Sequence, residues 1–385
     1  MSAQPDITIL MRWLRGGGAE RVCASVANQL ASCGYQVDLV LFKAEGEYLE
    51  TLHPKINVID LALTAVTVRT GRQLPSSLQS LRAIFKIIDY IKKCNPKIIL
   101  ASTHYVNEVA ILSKFFVKNP PRVIVAEHTH VSTESKYAEP ISARLIPFSI
   151  KLFYPFANKI IAVSQGVADD LNHHLMFKRN ISVVYNPVIN PQLYEQSEQV
   201  VKHPWFQQKD RPVLVAAGRF VCQKDFLTLI KAFAKVLERQ KAYLVLLGDG
   251  VEKKKIIALV KSLKLEKYVL MTGFIPNPYS YLKQADLFVS SSRWEGLPTT
   301  IIEALALNIP VVATDCPSGP AEILKKGEYG YLVPVGDEFA LASAIVLALR
   351  SAPKFVPQSW INQFTGDVAI QKYIDVLECF GLQRV

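Results

Sequence analysis

The sequence predicts an α/β protein of two doubly wound, parallel-sheet domains facing a central cleft. Three observations predict it. Short, continuously apolar, β-branched runs alternate with helical stretches, the pattern of strands covered on both faces by crossover helices. The alternation runs through the chain twice. Between the two series, Asn186–Trp205 is rich in proline and polar residues and reads as a linker. A length of 385 residues suits about two or three domains. The expected division is one domain over 1–190, a second over 191–360, and a C-terminal helix within 361–385 packing back on the first.

In chain order, the first series of strands is Ile7–Met11, Val37–Phe42, Ile56–Ile59, Ile98–Ala101, Val123–Ala126, Ile160–Val163 and Val183–Tyr185. Ala19–Ala31 and Leu78–Lys93 carry apolar residues at helical spacing. The turn-rich segment Ala65–Pro75 has no period and reads as a surface loop. The second series is Val213–Ala217, Tyr243–Leu247, Val269–Met271, Leu287–Ser290 and Val311–Ala313, with helices over Asp225–Arg239, Glu252–Leu263 and Thr299–Leu307. Phe364–Phe380 reads as a terminal amphipathic helix.

Composition narrows the function classes. Half the residues are hydrophobic and 20% are charged, which excludes disorder as the main state. No run reaches the ~18 apolar residues of a spanning helix, and the N-terminus has no secretory pattern. Six cysteines form no Cys-x-x-Cys pair, so zinc-ribbon or thioredoxin chemistry is not indicated and a reducing cytoplasm is the expected compartment. The net charge of +11 is spread over both halves and points to an acidic partner. Nucleic acid is disfavoured, because the basic residues form no stripe interleaved with aromatics.

Three loops can carry chemistry. Arg15-Gly16-Gly17-Gly18-Ala19-Glu20-Arg21 opens a helix, where backbone N–H groups approach an anion; a bare tight turn is the alternative. Arg21 fills the third glycine position of a dinucleotide fingerprint and Lys43 follows the second strand, so nicotinamide cofactors are disfavoured. Gly218-Arg219-Phe220-Val221-Cys222-Gln223-Lys224-Asp225 joins a strand to a helix. It sets an arginine fork and a lysine charge at strand-end level, suited to a diphosphate or simply solvated. The most specific run is Ser290 to Ala306. Gly296 permits close backbone approach, Pro298 suits the first helical turn, and Glu295 and Glu303 offer carboxylates to hydroxyl groups.

The order of Gly-rich loop, Gly-Arg-x4-Lys, Gly-Asp-Gly at 248–250, Thr-Gly-Phe at 272–274 and Glu-x7-Glu resembles the family-four retaining glycosyltransferases of GT-B fold, of the bacterial polysaccharide and lipid-linked oligosaccharide type. The resemblance implies two Rossmann-like domains and a nucleotide-diphosphate sugar, most often a UDP-sugar, as co-substrate with no other cofactor. It implies that Arg219 and Lys224 stabilise the leaving diphosphate, that Glu295 contacts donor-sugar hydroxyls and that Glu303 holds the ribose. Backbone of Gly296, Leu297, Pro298 and Thr299 would add N–H donors, Phe274 and Ile275 would cover the base, and Gly17 and Gly18 would face diphosphate or acceptor. His128 matches a histidine near the reacting carbon, with His130 and His104 as further candidates. Asp225 departs from the glycine often found after the lysine and leaves the local turn open. The sequence has no Asp-x-Asp pair, in keeping with metal-independent transfer. A same-fold epimerase or phosphorylase and a non-catalytic nucleotide-sugar-binding protein are the rival readings.

Basic amphipathic stretches at Leu78–Lys93 and Ile141–Lys159 make an anionic membrane surface a further expected partner, with ordinary core-facing helices as the alternative. A lipid-linked or polysaccharide acceptor fits such a location. The oligomeric state is left open.

Overall fold

The structure, a computed structural model, describes residues 4–63, 76–137, 144–208 and 210–382. Ala65–Pro75 and the start of Ile141–Lys159 lie outside the described residues. The chain forms two compact units, Met1–Pro187 with Gly366–Val385, and Val188–Thr365.

The first unit holds a seven-stranded parallel sheet: β1 (Ile7–Met11), β2 (Val37–Leu41), β3 (Asn57–Asp60), β4 (Ile98–Ser102), β5 (Arg122–Glu127), β6 (Lys159–Ala162) and β7 (Ser182–Val183). Its order is β3-β2-β1-β4-β5-β6-β7. Every residue of β1, β2 and β4 is buried, which is why these strands read as unbroken apolar runs. The helix Gly18–Ser32 sets Val22, Val26 and Leu30 into the same core as Ile370, Tyr373, Ile374 and Leu377 of the terminal helix Gly366–Glu378. The terminal helix therefore belongs to this unit, and the chain leaves the other one at Thr365.

The helix Ser76–Cys94 turns its apolar stripe inward: Ala83, Ile87, Ile88 and Ile91 are buried, and the Tyr90 hydroxyl donates to Asp38 at 2.7 Å. The expected basic amphipathic helix thus spends most of its apolar face on its own unit. Arg82, Lys86, Lys92 and Lys93 remain exposed.

The second unit holds β8 (Val213–Ala217), β9 (Tyr243–Leu247), β10 (Val269–Gly273), β11 (Leu287–Ser290), β12 (Val311–Thr314) and β13 (Tyr331–Val333), in the order β10-β9-β8-β11-β12-β13. The three-residue β13 is a strand that the sequence reading does not include. The helices Phe226–Leu237 and Glu338–Arg350 complete the core, where Leu229, Ile230, Phe233, Leu341 and Ile345 are fully buried. Each such side chain contributes about 1.5–3 kcal/mol by burial.

Both sheets follow the order 3-2-1-4 and onward. The strand order reverses between β1 and β4 in the first and between β8 and β11 in the second. In open parallel sheets, ligands bind beyond the carboxyl ends of the strands at such a reversal.

Candidate active site

At the reversal of the second sheet, the loop after β8 meets the loop after β11. Lys224 Nζ reaches Glu295 Oε1 at 2.5 Å, and the same oxygen accepts from Ser292 Oγ at 2.6 Å. Both members of the ion pair are largely shielded, with side chains 19% and 8% exposed. Backbone and side-chain bonds lock the loops together around it. Arg293 N donates to Gln223 O at 2.7 Å, Gln223 Nε2 to Trp294 O at 3.0 Å, and Ser291 Oγ to Lys224 O at 2.8 Å. The lysine is thus held in one place by neighbours that are themselves held, the arrangement a preorganised electrostatic site needs.

Asp225 resolves the turn that the sequence leaves open. It adopts a left-handed conformation (φ 45°, ψ 48°), which aspartate tolerates better than most residues. Its buried carboxylate caps the helix Phe226–Leu237 through Thr228 N and accepts from Thr228 Oγ1 at 2.8 Å. Arg293 Nε donates to the same group at 2.9 Å. Aspartate therefore supplies the backbone geometry a glycine would, and adds a helix cap and a second ion pair between the two loops.

The loop after β9 closes on this frame. Gly248 (φ 141°) is required, because a Cβ there would stand 2.0 Å from Gly218 O. Gly218 N donates to Leu247 O and Phe220 N to Asp249 O, at 3.0 and 2.8 Å. Arg219 extends into solvent with no carboxylate partner among the described residues. Beyond edge strand β10, Phe274 is 58% exposed and Ile275 half-buried.

Gly296, Leu297 and Pro298 are buried and Thr299 half-buried ahead of the helix Thr299–Ala306. Pro298 stands at the N-cap, one residue before the first turn where the sequence reading put it, and no side chain caps the helix. Ile301 N donates to Pro298 O at 3.2 Å, which leaves the N–H groups of Thr299 and Thr300 in the first turn for an acceptor from outside. Glu303 is buried at 1% exposure, so it is not a solvated surface carboxylate. The structure brings Lys224 and Glu295 together directly, with Arg219, Gly296, Leu297, Pro298, Thr299 and Glu303 on the loops and helix leading from the same two strands. Ser292, Arg293 and Gln223 complete the arrangement and were not singled out by sequence; the triple serine before Arg293 was the available signal.

Gly17, Gly18 and His128 lie in the first unit. Gly17 is the N-cap of the helix Gly18–Ser32. A Cβ on Gly17 would stand 1.7 Å from Glu20 Oε2, so a carboxylate of the chain itself lies over this glycine turn. His128 follows β5. Both its ring nitrogens are buried with no hydrogen-bond partner among the described residues, and burial pushes its pKa down to about 4. The imidazole is therefore neutral near pH 7 and can act as a hydrogen-bonding group there. Its neighbour Glu127 went unread in the sequence. Burial raises this carboxyl to about 7, against opposing bonds from Tyr154 and from Asn107 Nδ2 at 2.8 Å. Its Oε2 is buried without a partner among the described residues.

Residues 16–189 match the family Glycosyltransferase Family 4, and residues 198–360 match Glycosyl transferases group 1. An uncharacterized glycosyltransferase of Methanocaldococcus jannaschii is 34% identical over 327 residues, covering 77% of this chain and 78% of that protein. The chain belongs to this glycosyltransferase family.

The transferase is also 29% identical to a Campylobacter jejuni N-acetylgalactosamine-N,N'-diacetylbacillosaminyl-diphospho-undecaprenol 4-alpha-N-acetylgalactosaminyltransferase, over 88% of each chain. Among solved structures, its fold matches that of Anabaena HepE in complex with UDP and glucose, with a TM-score of 0.77 and 20% identity over 97% of this chain and 99% of that one. The apo form of the lipopolysaccharide outer core galactosyltransferase WaaB matches with a TM-score of 0.71 and 19% identity over the same shares. The transferase thus has the two-domain GT-B architecture.

Proposed function

We propose that the transferase moves a sugar, with retention and without a divalent metal, from a UDP-sugar to a hydroxyl of a diphosphate-linked lipid oligosaccharide or a related polysaccharide. The observation that carries this reading is the Lys224–Glu295 pair beside the uncapped helix Thr299–Ala306 at the sheet reversal. Breaking the sugar–phosphate bond builds negative charge on the departing diphosphate. A fixed ammonium, the free Arg219 guanidinium and first-turn N–H groups stabilise that charge without a cation having to be recruited. Glu295 keeps Lys224 in place and offers its second oxygen to donor-sugar hydroxyls; Glu303 takes the ribose. His128, neutral, hydrogen-bonds near the reacting carbon. The diphospho-undecaprenol substrate in the Campylobacter relative's name and the UDP in the HepE complex support the choice of acceptor and donor.

The same reading puts the enzyme in the cytoplasm, on the inner face of the membrane. Support comes from one face of the first unit. Phe115, Phe116, Phe148, Leu152, Phe156 and Phe177 are between 49% and 76% exposed, and the Phe115 and Phe156 rings meet at 5.2 Å. Lys114 and Arg179 bond the carbonyls of Phe156 and Pro155, at 2.6 Å each. No acidic residue occurs at 109–126, 140–168 or 171–194, the stretches that supply this face. Aromatics set among unopposed cations suit an anionic bilayer surface.

Incubation with a panel of nucleotide sugars and lipid-diphosphate acceptors tests the reaction. The expected product retains the donor's anomeric configuration and forms in the presence of a chelator. Epimerised donor with no glycosidic product, or binding of UDP without turnover on any acceptor, overturns the reading.

A further inference from the structure

The first sheet carries its own cavity, of about 370 Å³, over the carboxyl ends of β1, β2 and β4. Arg12 and Arg15 come from the loop after β1, Lys43 and Glu45 from the loop after β2, and Arg82 from the helix Ser76–Cys94. Four cations thus face one carboxylate. Glu45 pairs with Lys43 and Arg15, which hold its carboxyl below the usual range, so it stays ionised and neutralises part of their charge. Arg12 and Arg82 have no carboxylate partner among the described residues. The Arg12 guanidinium lies 4.4 Å from the Trp13 ring centroid and 5.6 Å from that of Tyr105, and Arg15 lies 4.4 Å from Trp13.

The frame that holds these groups is rigid. Leu14 N donates to Glu45 O, Lys43 N to Arg12 O and Leu63 N to Phe42 O, at 3.0, 3.1 and 2.7 Å. Gly46 (φ 124°) lets the two loops touch, since a Cβ there would meet Leu14 O at 2.1 Å. The cavity is therefore positive, walled by aromatics and built before any ligand arrives. Guanidinium forks select planar or tetrahedral oxyanions, and two of them with no internal anion match a doubly charged group.

We infer that this cavity binds the diphosphate ester of the lipid-linked acceptor. Arg12 and Arg82 take the phosphates, with Arg15 and Lys43 at the rim and Trp13 and Tyr105 as walls. The inference rests on the acceptor class proposed above, and it separates the two diphosphates of the reaction. The donor's goes to Arg219 and Lys224 in the second unit, the acceptor's to Arg12 and Arg82 in the first.

The probe is inorganic pyrophosphate, read by tryptophan fluorescence against a Trp13→Phe control, in wild type and in the variants Arg12→Gln, Arg82→Gln and Lys224→Ala. Pyrophosphate is expected to change Trp13 emission, with affinity falling about tenfold in Arg12→Gln and in Arg82→Gln. Lys224→Ala should leave the Trp13 response intact. Raising salt should weaken it. In turnover, Arg82→Gln should raise KM for a lipid-diphosphate acceptor about tenfold and leave KM for the nucleotide sugar unchanged. Wild-type pyrophosphate affinity in both arginine variants overturns the site, as does a rise confined to the donor KM. The fluorescence arm is independent of turnover. If it succeeds while no acceptor is glycosylated, the anion site stands and the acceptor reading falls.

Discussion

At the reversal of the second sheet, Lys224 is matched by Glu295 and Arg293 by Asp225. At that of the first, Glu45 pairs with Arg15 and Lys43, while Arg12 and Arg82 have no carboxylate partner among the described residues. The topology is the same, but the weight of unpaired charge differs: Arg219 in the second crevice stands against Arg12 and Arg82 in the first. In the second crevice Lys224 is fixed by the chain's own Glu295, so little rearrangement accompanies charge development on a leaving group. The first is left positive, which costs stability without a ligand and favours a dianion that fits. The comparison extends to the buried carboxyls. Glu295 carries an ion pair, whereas Glu127 has only neutral hydrogen-bond partners and is held near half-protonation at pH 7.

The largest expected effect breaks the compensated side. Lys224→Ala should lower kcat/KM by about 10²–10³, the loss typical of one transition-state donor, with the circular dichroism spectrum unchanged. Transfer at the wild-type rate would remove Lys224 from the chemistry.

Next comes the neutral carboxyl. A pKa raised to about 7 means the folded state holds a proton that the unfolded chain has released above about 4.5. The Glu127 contribution is then complete below pH 4.5 and lost as pH rises through 7, a span of up to about 3 kcal/mol. Glu127→Gln should gain stability relative to wild type as urea denaturation is repeated from pH 5 to 8. A difference independent of pH would mean that Glu127 is ionised throughout.

Asp225 sharpens the comparison by separating backbone from charge. Asp225→Ala keeps the left-handed strain and loses both the cap and the Arg293 pair, for about 2 kcal/mol. Asp225→Gly loses the same bonds but relieves the strain, and should cost less. A melting series in which glycine is the worse substitution would contradict the turn geometry.

The smallest effect is a null titration. His128, with its pKa lowered to about 4, contributes stability above pH 6.5 that is lost as pH falls through 4. Its imidazole proton resonances should not shift between pH 6 and 8. An NMR midpoint near 6.5 would show an exposed, chargeable ring.

Most of the fold was legible, because strands buried on both faces must be apolar and β-branched whatever they pack against. β1, β2 and β4, buried throughout, announce themselves this way; the exposed edge strand β3 and the two-residue β7 were read from apolar runs alone, and the three-residue β13 was not read. Helix ends were less legible. Pro298 satisfies either the N-cap or the first turn by its fixed φ, and only the path of the loop chose between them. At the site, the motif spacing marked Lys224, Glu295 and Glu303. It said nothing of Gln223 or Arg293, whose partners lie about 70 residues away in sequence, nor of Ser292, which bonds Glu295 three residues on. Nor did the sequence show that Glu20 lies over Gly17 or that Glu127 is buried among neutral donors.

By itself, then, the sequence determined the elements, their alternation and the loops that carry phosphate-binding chemistry. Periodicity and glycine placement are local properties, written within a few residues. Only the tertiary structure decided which charges are matched and which are left open. Pairing depends on distances of about 3 Å between residues remote in the chain. Whether a lysine or a carboxyl is a site or a surface group follows from the neighbours that the fold brings to it.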